Sequence, residues 1–226
     1  MDKILQMLQL QQTLNDATNG LNWEQGITKN GKEIHWKRCI YLECAELIES
    51  YPWKHWKDID APADYANIKI EAVDIWHFII SQGLEDYKIK NLGTIEDLAK
   101  QIHKLPNYTD FIAPIKATEK EYYQQIKVVE TLIKTLFCTD STEALMEAFI
   151  EVAIQSGLNL DTLYTLYVGK NILNKFRQNH GYKEGTYQKI WEGKEDNVIM
   201  QNILEHNKDI LPDTLYHTLE GLYPKG

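Results

Sequence analysis

Apolar residues recur at helical spacing along nearly the whole chain. Ile4, Leu5, Leu8 and the surroundings of Leu14 predict a first helix running to Asn19-Gly20, a pair suited to a helix stop. Trp36, Ile40, Leu47 and Ile48, separated by polar positions, predict a second over 35–50, with Pro52 soon after. The third, from Asp64 to Gly83, is apolar nearly all round at its centre (Ile70, Val73, Ile75, Trp76, Phe78, Ile79, Ile80). Such a helix belongs in the middle of a bundle.

Between 89 and 117 the pattern weakens at Asn91, Gly93, Pro106, Asn107 and Pro114, which predicts a connecting excursion with one short helix capped at Thr94. Thr118 with Glu121 forms a capping box opening a helix to about Phe137. Ser141 or Thr142 opens another that stops at Gly157, and Asn159 caps a long one reaching Asn179 before Gly181. Two short helices follow, near 195–206 and 213–222. No alternating run of strand length and no internal repeat interrupts this series. The reading is all-α, one domain over residues 1–226, with about 85–140 an inserted or peripheral helical region.

Charge narrows the partners. Asp and Glu number 33 against 24 Lys and Arg, a net charge of −9. Binding nucleic acid needs a basic face, so no nucleic-acid partner is expected. No apolar run approaches the length of a membrane span, and the N-terminus, Met1-Asp2-Lys3-Ile4-Leu5-Gln6, has no basic leader region or cleavage site. No membrane partner is expected either. Cys39, Cys44 and Cys138 cannot all pair, and Cys39 and Cys44 lack a zinc spacing, which points to a reduced, cytoplasmic chain.

The most informative feature is a pair of spacings. Glu43 and Glu46 are three apart on the second helix, and Glu71 and Asp74 repeat that offset on the third. Residues at that offset share a helix face. Glu71 and Asp74 interrupt the most apolar stretch of the chain, Ile70-Glu71-Ala72-Val73-Asp74-Ile75-Trp76. Burying unpaired carboxylates costs several kcal/mol each, so converging acids call for cations. Oxygen-only ligands suit a hard ion, Mg²⁺ or Mn²⁺. A di-iron bundle needs Glu-x-x-His on two helices, and the Glu43 helix offers no histidine. The plain alternative is a solvated acidic face paired with Lys37, Arg38 and Lys69.

Magnesium held by carboxylates commonly shares its remaining positions with phosphates. Candidate phosphate donors lie between 167 and 197. Lys170, Asn174 and Arg177 fall on one helical stripe, with Ile172, Leu173 and Phe176 turned toward the core. Gly181-Tyr182-Lys183 and Gly185 then form a flexible turn ahead of Lys189, Trp191 and Gly193, a segment able to order over a polyphosphate. The alternative is a solvated basic face with a glycine-rich helix stop. No Walker-type loop is present. Gln12 and Asn15, an amide pair, suit base edges; Trp53 and Trp56 could wall a ring pocket; His77 could be a core histidine.

Taken together these segments resemble the dimeric, all-α dUTP diphosphatases of the all-α NTP pyrophosphatase superfamily. The resemblance runs through Gln12-Thr-Leu-Asn15, Gly20-Leu-Asn-Trp23, Cys39-Ile-Tyr-Leu-Glu43-Cys-Ala-Glu46, Tyr51-Pro-Trp-Lys-His-Trp56 and Glu71-Ala-Val-Asp74-Ile-Trp-His77. It continues through Gly169-Lys170-Asn-Ile-Leu-Asn174-Lys-Phe-Arg177-Gln178, Gly181-Tyr182-Lys183 and Gly193-Lys-Glu-Asp196-Asn197, and no motif falls in 85–140. It implies a helical bundle with a mobile C-terminal segment, a homodimer, and hydrolysis of dUTP and dUDP to dUMP. It further implies Mg²⁺, two or three ions with substrate and Mn²⁺ as a substitute, on Glu43, Glu46, Glu71 and Asp74, with Glu46 also the base. Lys170, Arg177, Tyr182, Lys189 and Asn197 match phosphate-holding positions. Asn174 matches a uracil reader, and Gln12, Asn15, Trp53, Trp56 and His77 match the nucleoside pocket.

Three rivals differ in what they require. A dCTP-directed or MazG-like pyrophosphatase shares the acids without the Lys170–Asn197 segment. An isoprenoid synthase needs consecutive aspartates, and this chain has none. A helical interaction module would leave Glu71 and Asp74 unexplained. The third helix is also too apolar for a thin monomeric bundle to cover, a second argument for a homodimer.

Overall fold

A computed structural model describes residues 2–58, 60–115, 121–207 and 210–224. Among the described residues it contains ten α-helices, one 3₁₀ turn and one short hairpin, so the fold is all-α. The chain divides into two compact units, Met1–Leu163 and Tyr164–Gly226.

In the first unit, helices form where the apolar period recurs, and side-chain caps open α1, α4 and α7. The helix α1 (Lys3–Asn19) starts on Asp2, whose carboxylate accepts from Leu5 N, and ends at Gly20, φ 102°. A 3₁₀ turn (Trp23–Gln25) leads to α2 (Trp36–Glu49) and α3 (Tyr65–Ile89). The excursion holds α4 (Ile95–Ile102), opened by a capping box between Thr94 and Asp97, and also α5 (Tyr108–Ile112), which the pattern did not predict. The helices α6 (Tyr122–Cys138) and α7 (Thr142–Gln155) follow, the latter capped by Ser141. Thr118, half of the expected capping box, lies outside the described residues.

Two sequence expectations need correcting. The third helix does not stop at Gly83 but continues to Ile89. At Gly83 the helix passes close to α7: a Cβ would sit 2.6 Å from Met146 Cε. Further along the chain, α6 packs on both α7 and α2. At the centre, α3 lies against α2, α1, α4 and α7. Ile75, Ile79, Ile80 and Val73 are fully buried within this one chain, and Trp76 stacks on Phe149 at 4.8 Å. Apolarity of α3 therefore gives no argument for a dimer.

The helix α8 (Leu160–Asn179) starts on Asn159, whose Oδ1 accepts from Thr162 N at 3.0 Å. Most of α8 belongs to the second unit, with β1 (Ile190–Trp191), β2 (Lys194–Glu195), α9 (Asp196–His206) and α10 (Pro212–Leu222). The hairpin escaped prediction because two residues per strand cannot show alternation. Its turn, Glu192-Gly193, has φ of 49° and 81°, the doubly positive geometry of tight hairpins. Phe176 anchors an aromatic core with His180, Trp191, Tyr216 and Tyr223. Among the described residues no helix is long and apolar enough to cross a membrane.

Candidate functional site

The packing of α2 along α3 brings three of the four predicted acids together. One ligand atom each from Glu43, Glu46 and Glu71 lies within 4.8 Å of the others. Asp74, half-buried one turn further along α3, is not part of that trio. Carboxylates this close repel one another unless a cation shares them. Their oxygen-only donor set fits a hard divalent ion.

The trio spans a gradient of exposure. Glu71 is buried, Glu43 half-buried and Glu46 exposed. Glu46 and Glu71 line a cleft of about 500 Å³ whose walls include Tyr51, Lys54, Lys57 and Asn67. Sequence reasoning missed Asn67, which donates from Nδ2 to Glu71 Oε1 at 3.0 Å and to Ser50 Oγ at 2.9 Å. It ties the buried carboxylate to the end of α2. The available signal was its place one turn before Glu71 on the same helix face.

Cysteine chemistry is absent from this site. All three cysteines are free, and burial, aided by the Glu43 charge, pushes the Cys44 thiol up to about 12 and raises Cys39 as well. Thiols held protonated in this way are poor nucleophiles.

The predicted nucleoside residues have different immediate partners. Gln12 turns toward carboxylates, donating to Asp16 Oδ1 at 3.0 Å and Glu24 Oε1 at 3.1 Å. Asn15 points into the core and donates to Ser81 Oγ at 3.0 Å. The partner of Asn15 on α1 is instead Gln11, which donates to Asn15 Oδ1 at 3.0 Å and whose Oε1 is 2.6 Å from His77 Nδ1. Gln11, Asn15, His77 and Ser81 thus form one buried polar network between α1 and α3. Gln11 was legible: it occupies the core stripe of α1 set by Ile4, Met7 and Leu8. Trp53 and Trp56 meet edge to face at 5.5 Å, with Trp56 mostly exposed.

In the second unit the predicted basic stripe is buried, not solvated. Lys170 is 3% and Arg177 8% exposed. Lys170 Nζ donates to Asn197 Oδ1 at 2.8 Å, and Arg177 Nη2 reaches the same oxygen at 3.2 Å. Arg177 Nη1 donates to Asn174 Oδ1 at 3.2 Å. The Tyr182 ring lies 5.7 Å from the guanidinium, whereas Lys189 is exposed and pairs with Glu195 at 3.4 Å. The element that sequence reasoning passed over is Asp196, fully buried and bonded to Arg177 Nε and Nη2, both at 2.8 Å. Burial alone would raise the Asp196 carboxyl, but the bonded guanidinium outweighs it and holds the group below its ordinary range. Asp196 stood in the quoted Gly193–Asn197 segment without a role.

Comparison with known families gives the geometry a context. A family model described as dUTPase matches residues 3–182, whereas no curated protein matches the chain. The match takes in Glu43, Glu46, Glu71 and Asp74 and the Lys170–Tyr182 stretch, and ends before Lys189, Asp196 and Asn197. Four-fifths of an all-helical chain is thereby accounted for, and the acids that gather between α2 and α3 fall inside it: this protein belongs to the all-α dUTPase family and is an enzyme that hydrolyses dUTP.

Proposed function

We propose that hydrolysis is Mg²⁺-dependent, yields dUMP and pyrophosphate, and extends to dUDP. The observation that carries this reading is the convergence of Glu43, Glu46 and Glu71 from two helices. With Asp74 they would hold two or three Mg²⁺ ions, or Mn²⁺ as a substitute, which supply charge neutralisation and an acidified water. Glu71, steadied by Asn67, fixes the buried end of the donor set. Glu46, exposed and lining the cleft, accepts a proton from water as the base.

Lys170 and Arg177 offset charge on phosphate oxygens, with Tyr182, Lys189 and Asn197 in support. Their burial supports this, because desolvated cations attract anions more strongly than solvated ones. Asn174 reads uracil, whose edge an amide can match in a bidentate pair. Asn15 and His77, joined through Gln11, belong to the nucleoside pocket with Trp53 and Trp56; Gln12 joins them only by exchanging its carboxylate partners. The homodimer rests on the family resemblance alone, and three free cysteines support a reducing, cytoplasmic setting.

A screen for pyrophosphate release from all nucleoside triphosphates and orthophosphate release from dUDP, with Mg²⁺ and with chelator, tests the reading. Expected is a preference for dUTP that chelation abolishes and Mg²⁺ restores. Full turnover under chelation would overturn the role given to the acids.

A further inference from the structure

A guanidinium offers two edges for paired hydrogen bonds: the side edge (Nε and Nη2) and the end edge (Nη1 and Nη2). In Arg177 these edges are held very differently. The side edge is bonded to both oxygens of Asp196 at 2.8 Å. The end edge meets two neutral amide oxygens, Asn174 Oδ1 and Asn197 Oδ1, each at 3.2 Å.

Asp196 is itself anchored on every side. Its Oδ1 also accepts from the backbone N–H of Asn197 at 2.8 Å, and its Oδ2 from the Tyr187 hydroxyl at 2.8 Å. No part of it is exposed. A short, charge-assisted, buried pair exchanges reluctantly, while longer bonds to neutral amides exchange readily. An incoming phosphate needs two parallel donors, and the end edge is the one whose partners it can displace. Asn197 Oδ1 already draws Lys170 Nζ and Arg177 Nη2 together, as one phosphate oxygen would.

We infer that Asp196 is a positioning residue: it locks the side edge of Arg177 so that the end edge faces phosphate, and phosphate displaces the amides of Asn174 and Asn197. The inference rests on the phosphate-binding role proposed above for Arg177. Displacement also frees the Asn174 amide, which links phosphate binding to base reading. The chemistry recognised is that of a phosphate group with two adjacent oxygens free.

A double-mutant cycle on the full-length protein with dUTP and Mg²⁺ tests this, with melting temperature recorded for each variant. Arg177→Ala should lower kcat/KM about 100-fold, the usual scale for losing one transition-state donor. Asp196→Asn should lower it at least about tenfold, since small misplacements of a binding group are costly. In the Arg177→Ala background, Asp196→Asn should cost less than about twofold, because it acts through Arg177. Tyr187→Phe loosens the same carboxylate and should show the same dependence on Arg177, which covers the case in which Asp196→Asn does not fold. A loss from Asp196→Asn or Tyr187→Phe that is undiminished in the Arg177→Ala background would mark a merely structural role and overturn the inference. Full activity in Arg177→Ala would instead remove the phosphate reading on which it stands.

Discussion

Glu85 should make the folded protein lose stability as pH rises from 4.5 to about 7. It lies on α3 in the wall of a cleft of about 490 Å³ that Trp36, Arg38, Gln82 and Asp86 also line. Half-burial pushes its carboxyl up from 4.5 to about 7, with the Asp86 and Glu24 charges adding to the rise. The Trp36 indole N–H and Lys90 pull the other way and fall short; the indole N–H is near enough to act but closes no hydrogen bond of ordinary geometry. Below pH 4.5 both folded and unfolded chains keep the proton, and the group costs nothing. Between 4.5 and about 7 the unfolded chain gives it up first, so stability falls through that window and the full penalty persists above it.

One unit is worth about 1.36 kcal/mol, which puts the ceiling near ~3 kcal/mol. Solvent reaches half of the group and screens it, so about 1–2 kcal/mol is the expected size. Glu85→Gln removes the ionisation with little change of shape. Above pH 7 it should melt higher than the parent by about 2–8 °C, and below pH 4.5 the two should coincide. Thermal melts of both proteins across that range make the comparison. A difference that stays constant with pH would refute the reasoning, since a packing effect has no such window.

Other consequences follow from the site and the caps. Glu46→Gln should abolish turnover and leave the melting temperature without metal nearly unchanged; full activity would remove Glu46 from the mechanism. Asn67→Ala should raise the Mg²⁺ concentration needed for half-maximal activity about 10–100-fold, as loss of a ligand's supporting partner does; an unchanged requirement would show that Glu71 needs no such support. Ser141→Ala should cost about 1 kcal/mol, because Ser141 Oγ accepts from Ala144 N at the start of α7; urea unfolding reads this directly.

Local chemistry was enough to read the helices, because period and caps are properties of neighbouring residues. Thr94, Ser141 and Asn159 each cap a helix as their side chains predict. The carboxylate pairs were legible for the same reason: an offset of three residues puts Glu43 with Glu46 whatever the rest of the chain does. Residues separated by dozens of positions were not legible. That Glu71 joins this pair while Asp74 stays outside the trio depends on how α2 rides along α3. That Gly83 is a contact and not a stop depends on Met146, and that Gln11 answers His77 depends on α1 lying against α3. Asp196 is the clearest case. In sequence it is one acid in an acidic chain, and only the fold, by burying it against Arg177 nineteen residues away, gives its charge a single place to go.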